Sequence, residues 1–170
     1  GIIQRNVGDH ASALEYFFNA QQLAELHQLK MELAYAYNNI GDIYNLEQNC
    51  QLALEYELKA LNIFESIGDS IGISYSCHQI ALAYSNLSMH PSSLEYDMRA
   101  MKIRESLGNK AGVAYSLISI GENYLKMGRL LESHENLIKS SEIFSELNDK
   151  FGLSSSLYST GMYFKTIGNN

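Results

Sequence analysis

The unit that decides the fold reads Ala34-Tyr-Ala-Tyr-Asn-Asn-Ile-Gly-Asp-Ile-Tyr44, followed by Ala53-Leu-Glu-Tyr-Glu-Leu-Lys-Ala60. The small residue in this unit returns every 40 residues, at Gly1, Gly41, Ala81, Gly121 and Gly161. The aromatic residue three positions later returns with it, as Tyr44, Tyr84, Tyr124 and Phe164. A fixed period in this range predicts a stack of similar helical units rather than one compact domain.

Glycine and cap residues predict where the helices end. Gly68 and Gly108 are expected to end helices in the left-handed conformation. Asp69 and Asn109 follow them as N-caps, and Pro91 suits the first turn of a helix. Between these signals apolar residues recur at steps of three and four, which is the spacing of one helix face. Each repeat is therefore predicted to be an antiparallel pair, with A helices at about 30–46, 70–87, 110–127 and 150–167, and B helices at about 9–27, 50–67, 90–107 and 130–147.

Glycine inside a helix costs about 1 kcal/mol relative to alanine, so its regular return needs a reason. We expect Gly41 to let the Ala53 end of helix B approach helix A almost backbone to backbone. Glycines in the first turn of helix A are expected to do the same against the preceding helix B; these are Gly72, Gly112 and Gly152.

Composition narrows the classes of protein. Hydrophobic residues make up 46% and charged residues 18%, which supplies enough apolar surface for a continuous core. The formal net charge of −7 argues against nucleic-acid binding, which needs a basic face. No apolar run approaches the roughly 20 residues of a membrane span. No signal peptide opens the sequence, and we expect a cytoplasmic protein.

No catalytic or metal-binding set emerges. The five histidines show no four-residue pairing with one another or with Cys50 or Cys77, so zinc is not expected. The serines have no histidine at a spacing that argues for a nucleophile. A solvent-facing or inter-repeat role is indicated for the glutamates that return with the period, Glu15, Glu55, Glu95 and Glu135. We therefore expect no enzyme and no cofactor in these 170 residues.

The repeat resembles the tetratricopeptide repeat (TPR), in the 40-residue-period variant found in bacterial signalling and regulatory proteins. In the first full copy the matching residues are Tyr37, Ile40, Gly41, Tyr44, Ala53 and Ala60. The later copies match at Cys77, Ile80, Ala81, Tyr84, Ser93 and Ala100, and at Leu117, Ile120, Gly121, Tyr124, Ser133 and Ser140. HEAT and armadillo arrays have similar periods but lack this register. Glu57 and Asp97 depart from the pattern, because the family has an aromatic residue there.

The resemblance implies an all-α superhelix of antiparallel helix pairs, a TPR solenoid of about eight helices. Its divisions would be a partial repeat 1–29, full repeats 30–69, 70–109 and 110–149, and a partial repeat 150–170. Because both ends interrupt a repeat, we expect a fragment of a longer chain. An uncovered first helix would expose apolar residues that allow self-association, near Leu14, Phe17, Phe18 and Ala20.

Similar TPR arrays bind peptides or protein segments in a groove lined by A helices. Carried over to this sequence, the groove positions are Tyr35, Asn38, Asn39, Asp42 and Asn45, then Tyr75, His78, Gln79, Leu82 and Asn86, then Tyr115, Ser119, Glu122 and Lys126. Asn38 and Asn39 are expected to face solvent or ligand, since amides both donate and accept hydrogen bonds. The tyrosines offer rigid aromatic area for a ligand, or alternatively pack between neighbouring A helices. Asp42 and Glu122 favour a neutral or basic segment.

The resemblance leaves two compatible functions. The first is a non-enzymatic scaffold that binds a protein or peptide in the groove. The second is a sensory or regulatory segment of a larger signalling protein, such as a kinase, nucleotide cyclase or transcription regulator, with other domains of its own chain as partners. RNA binding by related helical repeats is a third reading, against which the acidic balance argues.

Overall fold

The structure, a computed structural model, describes residues 9–168. Its helices are α1 (His10–Leu26), α2 (Lys30–Leu46), α3 (Cys50–Ile67), α4 (Ser70–Asn86), α5 (His90–Ser106), α6 (Lys110–Lys126), α7 (Leu130–Glu146) and α8 (Lys150–Ile167). No strand occurs between residues 9 and 168. Every helix begins and ends within one residue of the position that the sequence predicts. Gly1, the first residue of the small-residue register, lies outside the described residues.

The helices form two compact units, residues 1–88 and 89–170. In the first unit α1 packs against α2, α2 against α3 and α3 against α4, and α2 also contacts α4. The second unit repeats this arrangement with α5 to α8, including the contact of α6 with α8. Helices of the A type, which are α2, α4, α6 and α8, therefore lie beside one another within each unit.

The predicted caps explain why the helix ends are sharp. Gly68 ends α3 with φ of 74°, in the left-handed region that glycine favours. The Asp69 carboxylate then accepts hydrogen bonds from the backbone N–H groups of Ile71 and Gly72, at 3.0 and 3.2 Å. Asn109 caps α6 in the same way, and Pro91 lies in the first turn of α5. An N-cap of this kind contributes about 1 kcal/mol to stability.

The core runs between consecutive helices of each unit. Ala13 and Phe17 of α1 pack on Ile40 and Ile43 of α2, and all four are buried. The prediction that Phe17 belongs to an exposed face is therefore wrong, because its side chain is only 7% exposed. Leu14 and Phe18 are half-buried against the same cluster, whereas Ala20 is exposed. In the second unit Leu94, Ile120 and Tyr124 form a comparable cluster.

The glycines of the A helices make room for different neighbours. A Cβ atom on Gly72 would lie 2.3 Å from the Phe64 ring, so Gly72 does lie close to the preceding helix B, but its neighbour is an aromatic side chain and not the predicted backbone. Gly41 differs from its prediction, because its nearest neighbour is the Glu57 side chain rather than the backbone at Ala53. A Cβ on Gly41 would stand 2.7 Å from Oε1 of Glu57. The glycine at this position therefore accommodates a buried carboxyl group.

Candidate functional site

Groove residues predicted on α2 and α4 meet each other in the first unit. The Asp42 carboxylate accepts hydrogen bonds from the Tyr75 hydroxyl at 2.9 Å and from the Gln79 side-chain amide. The Asn45 amide donates to the backbone carbonyl of Gln79 at 3.1 Å. Asp42, Asn45 and Gln79 are all buried. These residues form a polar layer that joins the two A helices.

Asn38 lies beneath this layer and is also buried, with 6% of its surface exposed. Its side-chain amide donates to the Glu57 carboxyl group and to Oγ of Ser76. The prediction that Asn38 faces solvent or ligand is therefore wrong. The reason is Glu57, which replaces an aromatic residue of the family pattern and needs a hydrogen-bond donor once it is buried.

Glu57 has no exposed surface. Its burial, with a further contribution from the nearby Asp42 carboxylate, raises the pKa of Glu57 well above its ordinary value. Hydrogen bonds from Asn38 and Ser76 offset part of that rise. Asp97 occupies the same register one repeat later and is equally buried, and there Ser119 donates to the carboxylate at 2.5 Å. The predicted groove residue Ser119 thus satisfies a buried acid.

Other predicted residues of the first unit stay accessible. Tyr35 is 43% exposed, although its ring packs edge-on against Phe64 at 5.2 Å between centroids. Tyr75 and Leu82 are 38% and 40% exposed. The Asn39 amide donates to the carbonyl of Tyr35 at 2.6 Å. Tyr35 and Tyr75 are therefore partly packed and partly accessible, and their contact with a ligand stays a prediction.

The exposed positions follow one register near the ends of the A helices. Asn86 and Lys126 stand 40 residues apart and are both exposed. The position on α2 that is 40 residues before Asn86 is position 46. The predicted groove residue Asn45 lies one residue before it and is buried. This shift of one residue explains why Asn45 bonds to α4 instead of facing solvent. His78 is half-buried on α4.

The second unit contains a cavity of about 510 Å³ between α6 and α8. It is lined by Glu122, Leu125, Lys126, Tyr158, Ser159, Met162 and Thr166. Oε1 of Glu122 accepts a hydrogen bond from Oγ of Ser159 at 2.5 Å, which ties the two helices together. Tyr158 is 72% exposed and Met162 41% exposed, so the α8 wall presents apolar surface. Tyr115, predicted for the same groove, packs edge-on against Phe144 and does not line the cavity.

Two predicted residues, Glu122 and Lys126, therefore line this cavity. Sequence reasoning missed the α8 wall because it carried groove positions over the three full repeats alone. The period contained the signal, since adding 40 to 122 and 126 gives Met162 and Thr166.

The rest of the described chain offers little other chemistry. Across residues 9–168 no three His, Cys, Asp or Glu side chains are grouped as metal ligands. Cys50 and Cys77 are both buried thiols. None of the helices in this part of the chain is long and apolar enough to cross a membrane.

Comparison with known proteins agrees with this architecture. The sequence model of the tetratricopeptide repeat family matches residues 32–106. Curated protein sequences give no match to the chain.

Solved structures match at low sequence identity. Aspartyl phosphate phosphatase F from Bacillus subtilis superposes with a TM-score of 0.87 at 15% identity, covering 98% of this chain and 45% of that one. A Rap protein complexed with Competence and Sporulation Factor gives 0.80 at 16% identity, covering 98% and 49%. A putative kinesin light chain from Podosopora anserina gives 0.78 at 14% identity, covering 98% and 83%. This chain thus spans just under half the length of the first two of these proteins. Residues 32–106 thus match the tetratricopeptide repeat family, and the described residues have the all-α fold of TPR-like repeat proteins.

Proposed function

We propose that this chain is a non-enzymatic scaffold that binds a peptide or protein segment on its A helices, at the cavity between α6 and α8. The cavity carries the proposal: at about 510 Å³ it falls within the range of about 300–1,000 Å³ that is usual for ligand sites. It lies at positions where the TPR resemblance expects a groove. The non-enzymatic part rests on the lack of a catalytic set in the sequence.

The walls of the cavity suggest what it would hold. Tyr158, Met162 and Leu125 supply apolar surface for one aliphatic or aromatic side chain. Glu122 and Lys126 stand beside that surface, where they can accept from and donate to a peptide backbone. A partly exposed tyrosine is a residue type that often dominates binding energy.

A neutral or basic segment is the preferred ligand in this proposal. Glu122 places a carboxylate at the cavity, and the net charge of −7 favours approach of a basic partner. Asp42 no longer contributes to that argument, because it is buried and hydrogen-bonded within the first unit.

The similar structures support binding in general terms. One of them is a Rap protein in complex with Competence and Sporulation Factor, so an array of this fold carries a bound factor in that protein. A second candidate function, a regulatory segment of a larger cytoplasmic signalling protein, is favoured by the likeness to Rap structures of which this chain spans under half. The same surface would serve both functions.

Selection from a displayed peptide library tests the proposal. Peptides that enrich on the chain are expected to bind Tyr158→Ala about tenfold or more weakly, because the main apolar wall is removed. Leu157→Ala is the matched control: it truncates the preceding exposed residue, which does not line the cavity. Failure to enrich any peptide, or equal binding by Tyr158→Ala, would contradict the proposal.

A further inference from the structure

An acidic residue occupies the same register position on an A helix of each unit, but the two acids have different hydrogen-bond donors. Glu122 of α6 stands 80 residues after Asp42 of α2. The Asp42 carboxylate accepts from the Tyr75 hydroxyl at 2.9 Å and from the Gln79 side-chain amide. The Gln79 amide also donates to the Tyr75 hydroxyl at 3.0 Å. In the first unit a phenol oxygen is therefore held between an acceptor and a donor.

The second unit has serines in place of these two donors. Ser159 stands where the first unit has Gln79, and its Oγ donates to Oε1 of Glu122 at 2.5 Å. Ser155 stands where the first unit has Tyr75. Its Oγ bonds within its own helix, to the backbone carbonyl four residues earlier, at 3.1 Å. Among the described residues Glu122 thus accepts from a serine hydroxyl but from no phenol.

The sequence shows the same loss of a tyrosine. This position is aromatic in three successive repeats, as Tyr35, Tyr75 and Tyr115, and Ser155 breaks the row. The cavity between α6 and α8 adjoins the break, since Ser159 lies one turn after Ser155 and lines the cavity. The chain therefore omits a phenol next to a cavity that a ligand can enter.

The groups that line the cavity match a phenol. Leu125 and Met162 supply apolar surface for a ring, and Glu122 supplies an acceptor beside that surface. Lys126 lines the same cavity, and its ammonium group carries three donors that can serve an oxygen of the ligand. Because a hydroxyl both donates and accepts, it satisfies the carboxylate and the ammonium together.

Other side chains match fewer of these groups. An arginine or lysine would bring a second cation beside Lys126. A phenylalanine or leucine would place apolar surface against the Glu122 carboxylate without a hydrogen bond, which costs affinity. The indole N–H of tryptophan only donates, so it leaves the ammonium without an acceptor. Asparagine and glutamine donate and accept, but they bring little apolar area to the walls of the cavity.

We propose that the cavity binds a tyrosine side chain of the partner segment, whose hydroxyl donates to Glu122 and accepts from Lys126. The inference rests on the proposed function, which it deepens by naming the anchor residue of the ligand. The contact between Tyr75 and Asp42 is the internal counterpart of this contact in the first unit.

Analogues of single side chains test the anchor without a selected peptide. The probes are p-cresol, which is the side chain of tyrosine, and toluene, which is the side chain of phenylalanine. Each is added to the full 170-residue chain labelled with ¹³C at the methionine methyl groups. The Met162 methyl signal is expected to shift saturably with p-cresol. Toluene should bind about tenfold or more weakly, because it cannot form the hydrogen bond to the charged carboxylate.

The ratio of the two affinities within one variant separates recognition of the hydroxyl from changes in stability. Glu122→Leu should bring the two affinities within about twofold of each other, because the acceptor is removed. Glu142→Leu is the matched control, since Glu142 is exposed on α7 and does not line the cavity, and it should keep the preference for p-cresol. Ser155→Tyr should weaken p-cresol binding about tenfold or more, because its own phenol then competes for Glu122.

Three results would overturn the inference. They are the absence of a saturable shift with p-cresol, equal affinities of p-cresol and toluene for the original chain, and a preference for p-cresol that Glu122→Leu retains. Tighter binding of n-propylguanidinium, the side chain of arginine, would overturn it in favour of a basic anchor. The proposed function survives each of these outcomes as long as library peptides bind Tyr158→Ala more weakly than the original chain. Failure of the library selection would instead remove the proposed function itself.

Discussion

Two glycines of α8 differ in their surroundings, since one lies against a packed ring and the other faces open space. Substituting alanine at each should therefore shift the free energy of unfolding in opposite directions. A Cβ atom on Gly152 would lie 2.2 Å from Cδ1 and Cε1 of Phe144. A Cβ atom on Gly161 would meet nothing within 4 Å. Gly152→Ala and Gly161→Ala therefore change the chain identically in one helix, but only the first forces a neighbour to move.

The expected size of the effect follows from the ring that must move. Phe144 has no exposed surface, and Tyr115 packs edge-on against it at 4.8 Å between centroids. Overpacking a well-packed core costs about 1–3 kcal/mol, whereas alanine gains up to about 1 kcal/mol over glycine inside a helix. Gly152→Ala should therefore lower the free energy of unfolding by about 1–2 kcal/mol. Gly161→Ala should raise it by about 0.5–1 kcal/mol.

Urea denaturation followed by far-ultraviolet circular dichroism measures both variants. The midpoint concentration should fall for Gly152→Ala and rise for Gly161→Ala, with similar slopes. Phe144→Leu combined with Gly152→Ala serves as a double-mutant cycle, and the pair should be less destabilised than the sum of the single changes. Equal stability of Gly152→Ala and Gly161→Ala would refute the claim that the first-turn glycine admits the Phe144 ring.

Two further predictions concern buried and capping acids. Burial raises the pKa of Glu57 well above its ordinary 4.5, so the folded state binds the proton more tightly than the unfolded state. The free energy of unfolding is therefore highest below the pKa of Glu57 in the unfolded chain, and it falls as the pH rises toward the pKa of Glu57 in the folded chain. The gain in unfolding free energy from Glu57→Gln should therefore grow as the pH rises above 4.5, and a gain that does not change with pH would count against a raised pKa of the buried Glu57 carboxyl group. Asp149 accepts hydrogen bonds from the backbone N–H groups of Phe151 and Gly152, so Asp149→Ala should lower the unfolding free energy by about 0.5–2 kcal/mol in thermal melts. Lys150→Ala is its control, and equal melting of the two variants would argue against a stabilising cap.

Helix positions were predictable because their causes are local. Gly68 needs only its own backbone conformation to end α3, and Asp69 needs only the N–H groups of the next turn to begin α4. The constant period then carried these signals from one repeat to the next. The ends of the helices, which depend on neighbours close in sequence, were therefore predicted correctly.

Burial of the polar groove residues was less predictable, because it depends on partners far along the chain. Asn38 is buried since Glu57, on the next helix, requires a donor. Asp42 and Asn45 are held by Gln79 of α4. A polar side chain is predicted to be exposed to solvent unless its hydrogen-bond partner in the folded chain is known. The repeat period does not reveal that partner.

The candidate site was predicted in part. Glu122 and Lys126 line the cavity as the TPR resemblance implied, while its apolar wall comes from Tyr158 and Met162 of α8. That wall belongs to a partial repeat, for which no groove positions were carried over. A side chain on the last A helix completes the cavity only because α6 and α8 lie side by side.

The central claim, that a ligand occupies the cavity between α6 and α8, is tested most directly by hydrogen–deuterium exchange of the chain with and without a selected peptide. The proposed function predicts added protection centred on the segments 122–126 and 158–166, which line the cavity. Protection confined to other helices, with these two segments unchanged, would contradict it.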